Sequence, residues 1–387
     1  MSQSVSILDF GSGKISVYVG ERGLNNTIKV KGIGVCEYSS FYNGELLTLD
    51  KLPEKISEAI HLAEDSMGQK IENLYVGVPA DFCVVESRIL TMNFKKRHKI
   101  TDYDVQDLYA SNSDFDALEK EYEMINVNPV YFALDNERRL MDPEGQFSSS
   151  LSALVSFLFV KRTFADFMRS ALKTIGIKQV DFSSTMLAQV LYLFQSETRD
   201  EGVVLIDSGY SSTNVAVAKG DGVLYLKSFA LGGVNVTADL ANYFSIPFKQ
   251  AEKLKKAIDL SLDVNDSEEL SYTYKNKIYA VNYKTAIEIV KTRIKTIARG
   301  VEKCIDLCPY NFPDYLPYHL TGAGLSYYRG VKEIMGSVLD KKIEIAMPQS
   351  PLVERPNLSS AWGLMDMAIN DGFAQKSVLS KFFKKGY

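Results

Sequence analysis

The chain has 387 residues, of which 46% are hydrophobic and 24% charged, and its formal net charge is −4. This length and composition predict two or three globular domains, and the slight acidity argues against a general nucleic-acid binder. The sequence does not begin with a signal-peptide pattern, and its most apolar run, Leu151–Val160, is too short to span a membrane. Its four cysteines follow no disulfide or zinc spacing. We therefore expect a reduced, cytoplasmic protein.

The first predicted element is a β-hairpin over Val5–Gly20. An apolar strand ends near Asp9, the sequence Gly11-Ser12-Gly13 forms the turn, and an alternating strand follows. Glycine has no Cβ and tolerates positive φ, so such a turn brings backbone N–H groups close to an anion. Taken alone, the motif is more often only a tight turn that binds nothing.

The next segments predict a mixed α/β layer. Val30–Tyr38 reads as a strand, Leu52–Met67 has the apolar spacing of a helix, and Leu74–Val78 reads as a buried strand closed by Pro79. Strands and helices in this order favour a central sheet covered by helices.

From Val84 to Val160 the pattern changes to that of a small inserted α/β unit. Polar segments with helical spacing alternate with strand-like runs, and no catalytic constellation is present. The predicted helices are Thr101–Ser111 and Asp114–Met124, the predicted strands are Glu86–Met92, Val127–Leu134 and Ser150–Val160, and Asp135–Phe147 is predicted to be an exposed loop.

A second hairpin then repeats the first. Helices are predicted over Thr163–Ile175, which Gly176 ends, and over Ser184–Gln195. Val203–Val217 (VVLIDSGYSSTNVAV) again reads as buried strand, aspartate, glycine-containing turn and alternating strand. Two aspartate hairpins in separate halves form an ordered set that chance explains poorly.

Three further motifs follow in the second half. Leu231–Ala241 places two glycines before a helix, an arrangement that attracts anions. Gln250–Ile258 and Ala286–Ile305 are predicted helices, and the second carries a basic stripe of Lys291, Lys295 and Arg299 whose alternative interpretation is an ordinary solvated face. His319–Leu325 (HLTGAGL) supplies a third glycine turn.

The last twelve residues, 376–387 (KSVLSKFFKKGY), predict a short basic amphipathic helix. Such a helix suits a membrane surface or a protein groove, and a frayed tail is the alternative. The residues predicted to contact the membrane are Val378, Leu379, Lys381, Phe382, Phe383, Lys384 and Lys385.

In this order the motifs resemble the actin/Hsp70/sugar-kinase superfamily, and within it the FtsA family of bacterial cell-division proteins. The supporting stretches are LDFGSGKISVYVGE, VGVPADFCVVESR with ITDYDV, VVLIDSGYSSTNVAV, ALGGVNVTADLA, AEKLK, LTGAGL and the tail. The resemblance implies an α/β, actin-like (ribonuclease H-like) two-domain fold with an FtsA-type inserted α/β subdomain. It implies that domain 1 comprises residues 1–83, 162–200 and 355–372 and that the inserted subdomain comprises residues 84–161. Domain 2 would comprise residues 201–354, and the C-terminal helix residues 373–387.

The resemblance also implies a site for ATP and Mg²⁺. Asp9 and Asp207 would hold Mg²⁺ through water, since facing aspartates repel each other unless a cation lies between them. Gln189 lies near the position of a water-orienting glutamine in actin, which FtsA-like sequences usually lack. The remaining positions are the phosphate contacts Gly11, Ser12, Gly13, Lys14, Gly209, Ser211, Ser212, Gly232 and Gly233, the ribose and base contacts Glu252 and Lys255, and the adenine-side glycines Gly322 and Gly324.

The implied function is that of an ATP-bound filament that polymerises on the inner face of the cell membrane at the division site. It would anchor FtsZ, whose C-terminal peptide could bind Lys291, Lys295 and Arg299, and it would contact other division proteins. FtsA relatives generally have a DxGxGTTD-like second turn, whereas here the turn carries Tyr210, Ser211 and Asn214, so we expect slow or undetectable ATP hydrolysis. The alternatives are a PilM-like scaffold of a pilus complex and a small-molecule kinase of the same superfamily.

Overall fold

The structure is a computed structural model that describes residues 4–371 except 24–26, 112–114, 136–138 and 350–353. Three large sheets organise its fold. The first elements along the chain are β1 (Val5–Phe10), β2 (Lys14–Arg22), β3 (Ile28–Glu37), β4 (Phe41–Tyr42), β5 (Glu45–Leu46), α1 (Leu52–Met67), β6 (Asn73–Val78), a 3-10 turn at Ala80–Phe82, and β7 (Cys83–Lys99). They are followed by α2 (Asp102–Ser111), α3 (Asp116–Glu119), β8 (Tyr122–Leu134), β9 (Arg139–Leu140), β10 (Phe147–Lys161), α4 (Arg162–Ile175), β11 (Gln179–Ser184), α5 (Thr185–Leu193) and α6 (Ser196–Glu201).

The second half of the chain alternates hairpins with longer helices. Its elements are β12 (Val203–Ser208), β13 (Thr213–Lys219), β14 (Gly222–Phe229), α7 (Gly233–Phe244), α8 (Phe248–Ala257), β15 (Glu269–Tyr274), β16 (Lys277–Asn282), α9 (Tyr283–Asp306), β17 (Tyr318–Thr321), α10 (Val331–Leu339), β18 (Ile343–Ile345), a 3-10 turn at Pro356–Leu358, and α11 (Ser359–Asp371).

The first sheet has the strand order β11-β6-β1-β2-β3 and is built around the first aspartate hairpin. β1 and β2 pair antiparallel with Phe10 opposite Ile15, while β1 and β6 pair parallel. Buried side chains of α1, α4 and α11 join those of the sheet in one hydrophobic core. On α11 the indole of Trp362 packs edge-on against the ring of Tyr18, with 5.4 Å between centroids.

The second sheet repeats this arrangement. Its order is β14-β13-β12-β17-β18, in which β12 pairs antiparallel with β13 and parallel with β17, as β1 does with β2 and β6. α7, α8, α9 and α10 contribute to its own hydrophobic core. The expected actin-like fold with two similarly built halves is therefore confirmed.

A third sheet, with the order β7-β10-β8-β9, forms the inserted unit together with α2 and α3. It rests against the turn between β13 and β14, where the N–H of Asp221 donates to the carbonyl of Pro129 at 3.1 Å. The inserted unit thus contacts the second half of the chain as well as the first.

One predicted helix in this unit is wrong. Asp114–Met124 contains only the single turn α3, and the chain is extended from Tyr122 onward. β8 pairs with β10 along most of its length, and this pairing outweighs the helix propensity of the Glu- and Lys-rich segment. Part of the predicted loop Asp135–Phe147 is also extended, since Arg139 and Leu140 pair with β8.

The predicted C-terminal amphipathic helix lies outside the described residues, which end at Asp371 on α11. The membrane-contact residues predicted on it, from Val378 to Lys385, lie outside them as well. Among the helices of the described part, none carries an apolar stretch long enough to cross a membrane.

Candidate functional site

The first half of the site is the turn between β1 and β2. The N–H of Gly11 donates to the carbonyl of Lys14 at 3.0 Å, which closes the turn. Asp9 stands on β1 just before it, and the Ser360 hydroxyl at the start of α11 lies 3.0 Å from each of its carboxylate oxygens. Burial raises the pKa of Asp9, while the charge of Lys14 and the bond from Ser360 oppose the rise.

The second half of the site is the turn between β12 and β13. Burial raises the pKa of Asp207 from its ordinary 3.8 to about 6, the bond from Gln189 opposes the rise, and the charges of Asp9 and Asp81 add to it. The Gln189 amide donates to Asp207 Oδ2 at 3.1 Å. Three carboxylates from different elements therefore act on one another, and a cation would relieve their repulsion.

The two turns are in direct contact. The N–H of Ser211 donates to Oγ of Ser12 at 3.1 Å. The side chain of Tyr210 covers Gly13 so closely that a Cβ on Gly13 would lie 2.5 Å from Cγ of Tyr210. The structure thus brings together the turns that the sequence placed about 200 residues apart.

The other predicted glycines surround the second turn. The N–H of Gly233, in the first turn of α7, donates to the carbonyl of Gly209 at 3.0 Å, and the N–H of Gly324 donates to that of Ser208 at 2.6 Å. Gly322 has φ +86°, and a Cβ there would lie 2.2 Å from Oδ1 of Asp207. Backbones pack this tightly only because these residues lack side chains.

Glu252 and Lys255 lie beside the start of α7. The Lys255 ammonium donates to Glu252 Oε1 at 2.7 Å, to Thr237 Oγ1 at 2.9 Å and to the carbonyl of Gly233 at 3.2 Å. Burial lowers the pKa of Lys255, and Glu252 opposes the change. Both predicted ribose and base contacts therefore lie next to the glycine pair at the start of α7.

The site also contains residues that the sequence interpretation missed. Asp81 follows β6, and its Oδ2 accepts a 3.1 Å bond from the Ser212 hydroxyl of the second turn. β6 is parallel to β1, so Asp81 lies at the same sheet edge as the first turn. Because ligands of α/β sheets bind at the carboxyl ends of parallel strands, the position of Asp81 after a predicted strand could have pointed to it. No sequence signal pointed to Ser360, or to Ser359, whose hydroxyl accepts a 3.2 Å bond from Gln189.

The polar groups of the two turns fit a nucleotide phosphate chain with a divalent cation. Gln189 Oε1 and Ser211 Oγ are buried without a hydrogen-bond partner, as expected of groups that a ligand or water would satisfy. Within the described residues no cluster of three or more His, Cys, Asp or Glu could hold a metal, so Asp9 and Asp207 would need water to complete a cation shell. The ring of Tyr210 lies against the first turn of the same site.

The basic stripe predicted for partner binding lies on the solvent side of α9. Lys295 and Arg299 are exposed, and the ammonium of Lys291 lies 3.6 Å from a carboxylate oxygen of Glu288. The opposite face of α9 is buried in the second core. The stripe is thus accessible to a partner.

Family comparisons match two parts of the chain. The family described as "Cell division protein FtsA" matches residues 204–363, and the family described as "SHS2 domain inserted in FTSA" matches residues 85–158, the range of the third sheet. FtsA of Buchnera aphidicola is 24% identical over 98% of this chain and 95% of its own length. FtsA of Bacillus subtilis is 23% identical over 95% of this chain and 84% of its own length.

Solved structures agree on the fold. A chain of the PilM–PilN type IV pilus biogenesis complex superposes with a TM-score of 0.63 at 14% identity, over 95% of this chain and 98% of that one. An MreB of Spiroplasma citri bound to ADP gives 0.56 at 12% identity, over 97% and 98% of the two chains. At these identities the matches show an actin-like fold alone.

Proposed function

Because the chain belongs to the FtsA family of cell-division proteins, we propose that it binds ATP, polymerises on the inner face of the cytoplasmic membrane and anchors FtsZ filaments at the division site. The observation that carries this proposal is the meeting of two aspartate hairpins in a chain that also bears the SHS2-type insertion. In this proposal domain 1 comprises residues 1–83, 162–200 and 355–372, and domain 2 residues 201–354.

Different residues of the cleft bind different parts of the nucleotide in this proposal. Asp9 and Asp207 hold the cation shell, and the two glycine-bearing turns and the start of α7 face the phosphates. Glu252 and Lys255 face the ribose and base, and Gly322 and Gly324 the adenine side. When bound, Mg²⁺ would supply the positive charge that offsets the aspartates, and ATP would supply a phosphate chain that links both halves.

Hydrolysis is expected to be slow or undetectable. The amide N–H₂ of Gln189 already donates to Asp207 and Ser359, so only Oε1 is left to accept a bond from a water. In the second turn, Ser211 stands where relatives generally have glycine and Asn214 where they often have an acid. Neither change adds a base that could activate water.

The C-terminal residues 373–387 form the membrane anchor in this proposal. Four apolar side chains at roughly 1.5–3 kcal/mol each set an upper limit to the gain from insertion. Each lysine near an anionic leaflet adds about 1 kcal/mol. Ordering the helix subtracts from this gain, so a monomer binds weakly, whereas a filament that presents many tails binds strongly by avidity.

The test is co-sedimentation of the purified chain with anionic vesicles in the presence of ATP and FtsZ. We expect the intact protein to pellet and to bring FtsZ with it, and a chain that ends at Gly372 to stay in solution. Reversing the stripe with Lys295→Glu and Arg299→Glu should abolish FtsZ recruitment but leave vesicle binding intact. Lys249→Glu with Lys253→Glu, two exposed positions on α8, is the matched control and should change neither.

Three results would count against the proposal. If intact and truncated chains both stay in solution, the tail does not bind membrane and the PilM-like scaffold gains support. If FtsZ still sediments with the charge-reversed stripe, its binding residues lie elsewhere. Phosphate transfer to a small metabolite would favour the kinase alternative.

A further inference from the structure

One end of the first sheet brings together the end of α11 and the starts of four strands. β1, β3, β6 and β11 all begin at this end, because β1 and β3 both pair antiparallel with β2, and β6 pairs parallel with β1 and β11. On α11, the side-chain oxygen of Asn370 accepts a hydrogen bond from the guanidinium of Arg22 at the end of β2, so α11 ends here as well. Asp9 and Asp81 lie at the opposite end of the sheet, where β1 and β6 finish.

The chain has little length with which to leave this end of the sheet. The described residues end at Asp371, and Val378 is the first residue predicted to contact the membrane, seven positions further on. Seven residues span at most about 25 Å even when they are fully extended. A tail that inserts at Val378 therefore holds the end of α11, and the sheet end around it, within that distance of the lipid headgroups.

Three lysines line an open groove of about 670 Å³ at the same sheet end. Lys29 and Lys31 lie at the start of β3, and Lys70 lies between α1 and β6. Glu72 also lines the groove, and its carboxylate is paired with the ammonium of Lys178 at 2.7 Å. We call this site the lysine groove; the hydrogen-bonding side chains of its lining include Ser4, Gln69 and Asn73.

The charges of the lysine groove are arranged with the cations outermost. A carboxylate oxygen of Glu21 lies 2.7 Å from the ammonium of Lys31, and one of Glu64 lies 2.6 Å from that of Lys70. The side chains of Lys29 and Lys70 are 69% and 76% exposed, whereas those of Glu21 and Glu64 are 13% and 8% exposed. The carboxylates thus lie beneath the lysines, and an approaching anion meets the ammonium groups first.

We propose that the lysine groove is a second membrane contact, which binds the phosphate groups of anionic lipids while the C-terminal tail inserts. The inference rests on the membrane anchoring of the proposed function and adds an orientation to it, in which the nucleotide cleft lies at the sheet end away from the bilayer. Ammonium groups form strong, charge-assisted hydrogen bonds with phosphate oxygens. Because the tail holds the groove close to the headgroups, the second contact forms at a high effective concentration of lipid.

The experiment is co-sedimentation of the full chain with vesicles that contain phosphatidylglycerol and with vesicles of phosphatidylcholine alone. Lys29→Gln with Lys70→Gln removes two outward ammonium groups. This variant should bind the anionic vesicles about tenfold more weakly than wild type, equivalent to about 1.4 kcal/mol, which lies within the contribution expected of two lysines at an anionic surface. On uncharged vesicles the variant and wild type should bind alike.

The matched control is Lys249→Gln with Lys253→Gln, which removes the same charge from two exposed positions on α8. It should bind anionic vesicles as wild type does, and thermal melting shows that each variant is folded. Acetylation of lysines in wild type, followed by mass spectrometry with and without anionic vesicles, locates the contact. Lys29 and Lys70 should lose reactivity several-fold on the vesicles, whereas Lys249 and Lys253 should keep theirs.

Two outcomes would overturn the inference and leave the proposed anchoring in place. One is equal binding of wild type and the Lys29/Lys70 variant to anionic vesicles, because the tail alone would then make the contact. The other is calorimetric binding of soluble glycerol phosphate that only the variant loses, with vesicle binding unchanged, because the groove would then serve a free phosphate compound. If wild type binds neither kind of vesicle, the membrane part of the proposed function fails together with this inference.

Discussion

At the scale of single residues, the cleft concentrates negative charge where little water reaches it. Burial raises the pKa of Asp9, Asp81 and Asp207, and of these the pKa of Asp207 rises to about 6. At neutral pH the Asp207 carboxylate is ionised at a cost to stability, since an ionised group in a poorly solvated site is poorly hydrated and repels its like-charged neighbours. This cost is what a site built for a cation would show before the cation binds.

Asp207→Asn should therefore stabilise the nucleotide-free protein near pH 7. Because the pKa is higher in the folded state than in the unfolded state, the stability that protonation of Asp207 provides is complete below about pH 4 and is lost as pH rises through 6. A pKa difference of about two units sets an upper limit of about 3 kcal/mol. Thermal melts should show a melting temperature a few degrees above that of wild type at pH 7.5, and a smaller difference at pH 5.

The control for this substitution is Asp65→Asn, which changes an exposed carboxylate on α1 and should leave the melting temperature within experimental error. Mg-nucleotide should raise the melting temperature of wild type but not that of Asp207→Asn. A variant that melts below wild type at every pH would show that the Asp207 carboxylate stabilises the fold.

At the scale of elements, α1 lies directly against β3. A Cβ on Gly34 would lie 1.9 Å from the carbonyl oxygen of Ala59, and one on Gly32 would lie 2.8 Å from that of Ala63. Glycine at both positions therefore lets the helix backbone approach the strand. The alternating residues Ile33 and Val35 face solvent on the other side of the same strand.

Gly34→Ala should separate α1 from β3 and destabilise the first half of the molecule. Overpacking of this kind costs about 1–3 kcal/mol, so the melting temperature should fall by several degrees. Val35→Ala changes the neighbouring, partly exposed side chain and should have a much smaller effect. Equal melting temperatures for Gly34→Ala and wild type would show that α1 can shift without loss of packing.

At the scale of the whole molecule, the proposed filament links membrane binding to self-association. If single tails bind weakly and polymers bind by avidity, the fraction of intact protein bound to anionic vesicles should rise steeply once the concentration permits polymerisation. It should also fall between 0.1 and 0.5 M salt, because the attraction of the lysines is screened. Vesicle sedimentation at graded protein and salt concentrations measures both effects.

Uncharged vesicles are the control for the charge contribution and should bind less protein at low salt. Binding that saturates as a simple hyperbola, without a threshold, would indicate that each tail anchors its own molecule. That result would separate membrane attachment from polymerisation.

The sequence by itself determined the local elements and their order. Leu52–Met67 forms a helix with the predicted ends, and both aspartate hairpins pair as the alternation of apolar and polar residues predicted. It also indicated the inserted unit from a change in pattern that the SHS2-type match confirms. These features depend on short stretches of sequence, in which the spacing of apolar residues and the turn-forming residues are enough to predict helices, strands and hairpins.

Only the tertiary structure decided how these elements meet. The end of the helix predicted over Asp114–Met124, from Tyr122 onward, is part of strand β8 because β10 offers it a long pairing partner. The site also contains Asp81, Ser359 and Ser360, because the ends of the parallel strands and the start of α11 lie close together in the fold. The contact of Tyr210 with Gly13 likewise joins residues almost 200 positions apart, and no local pattern reports the distance between two turns.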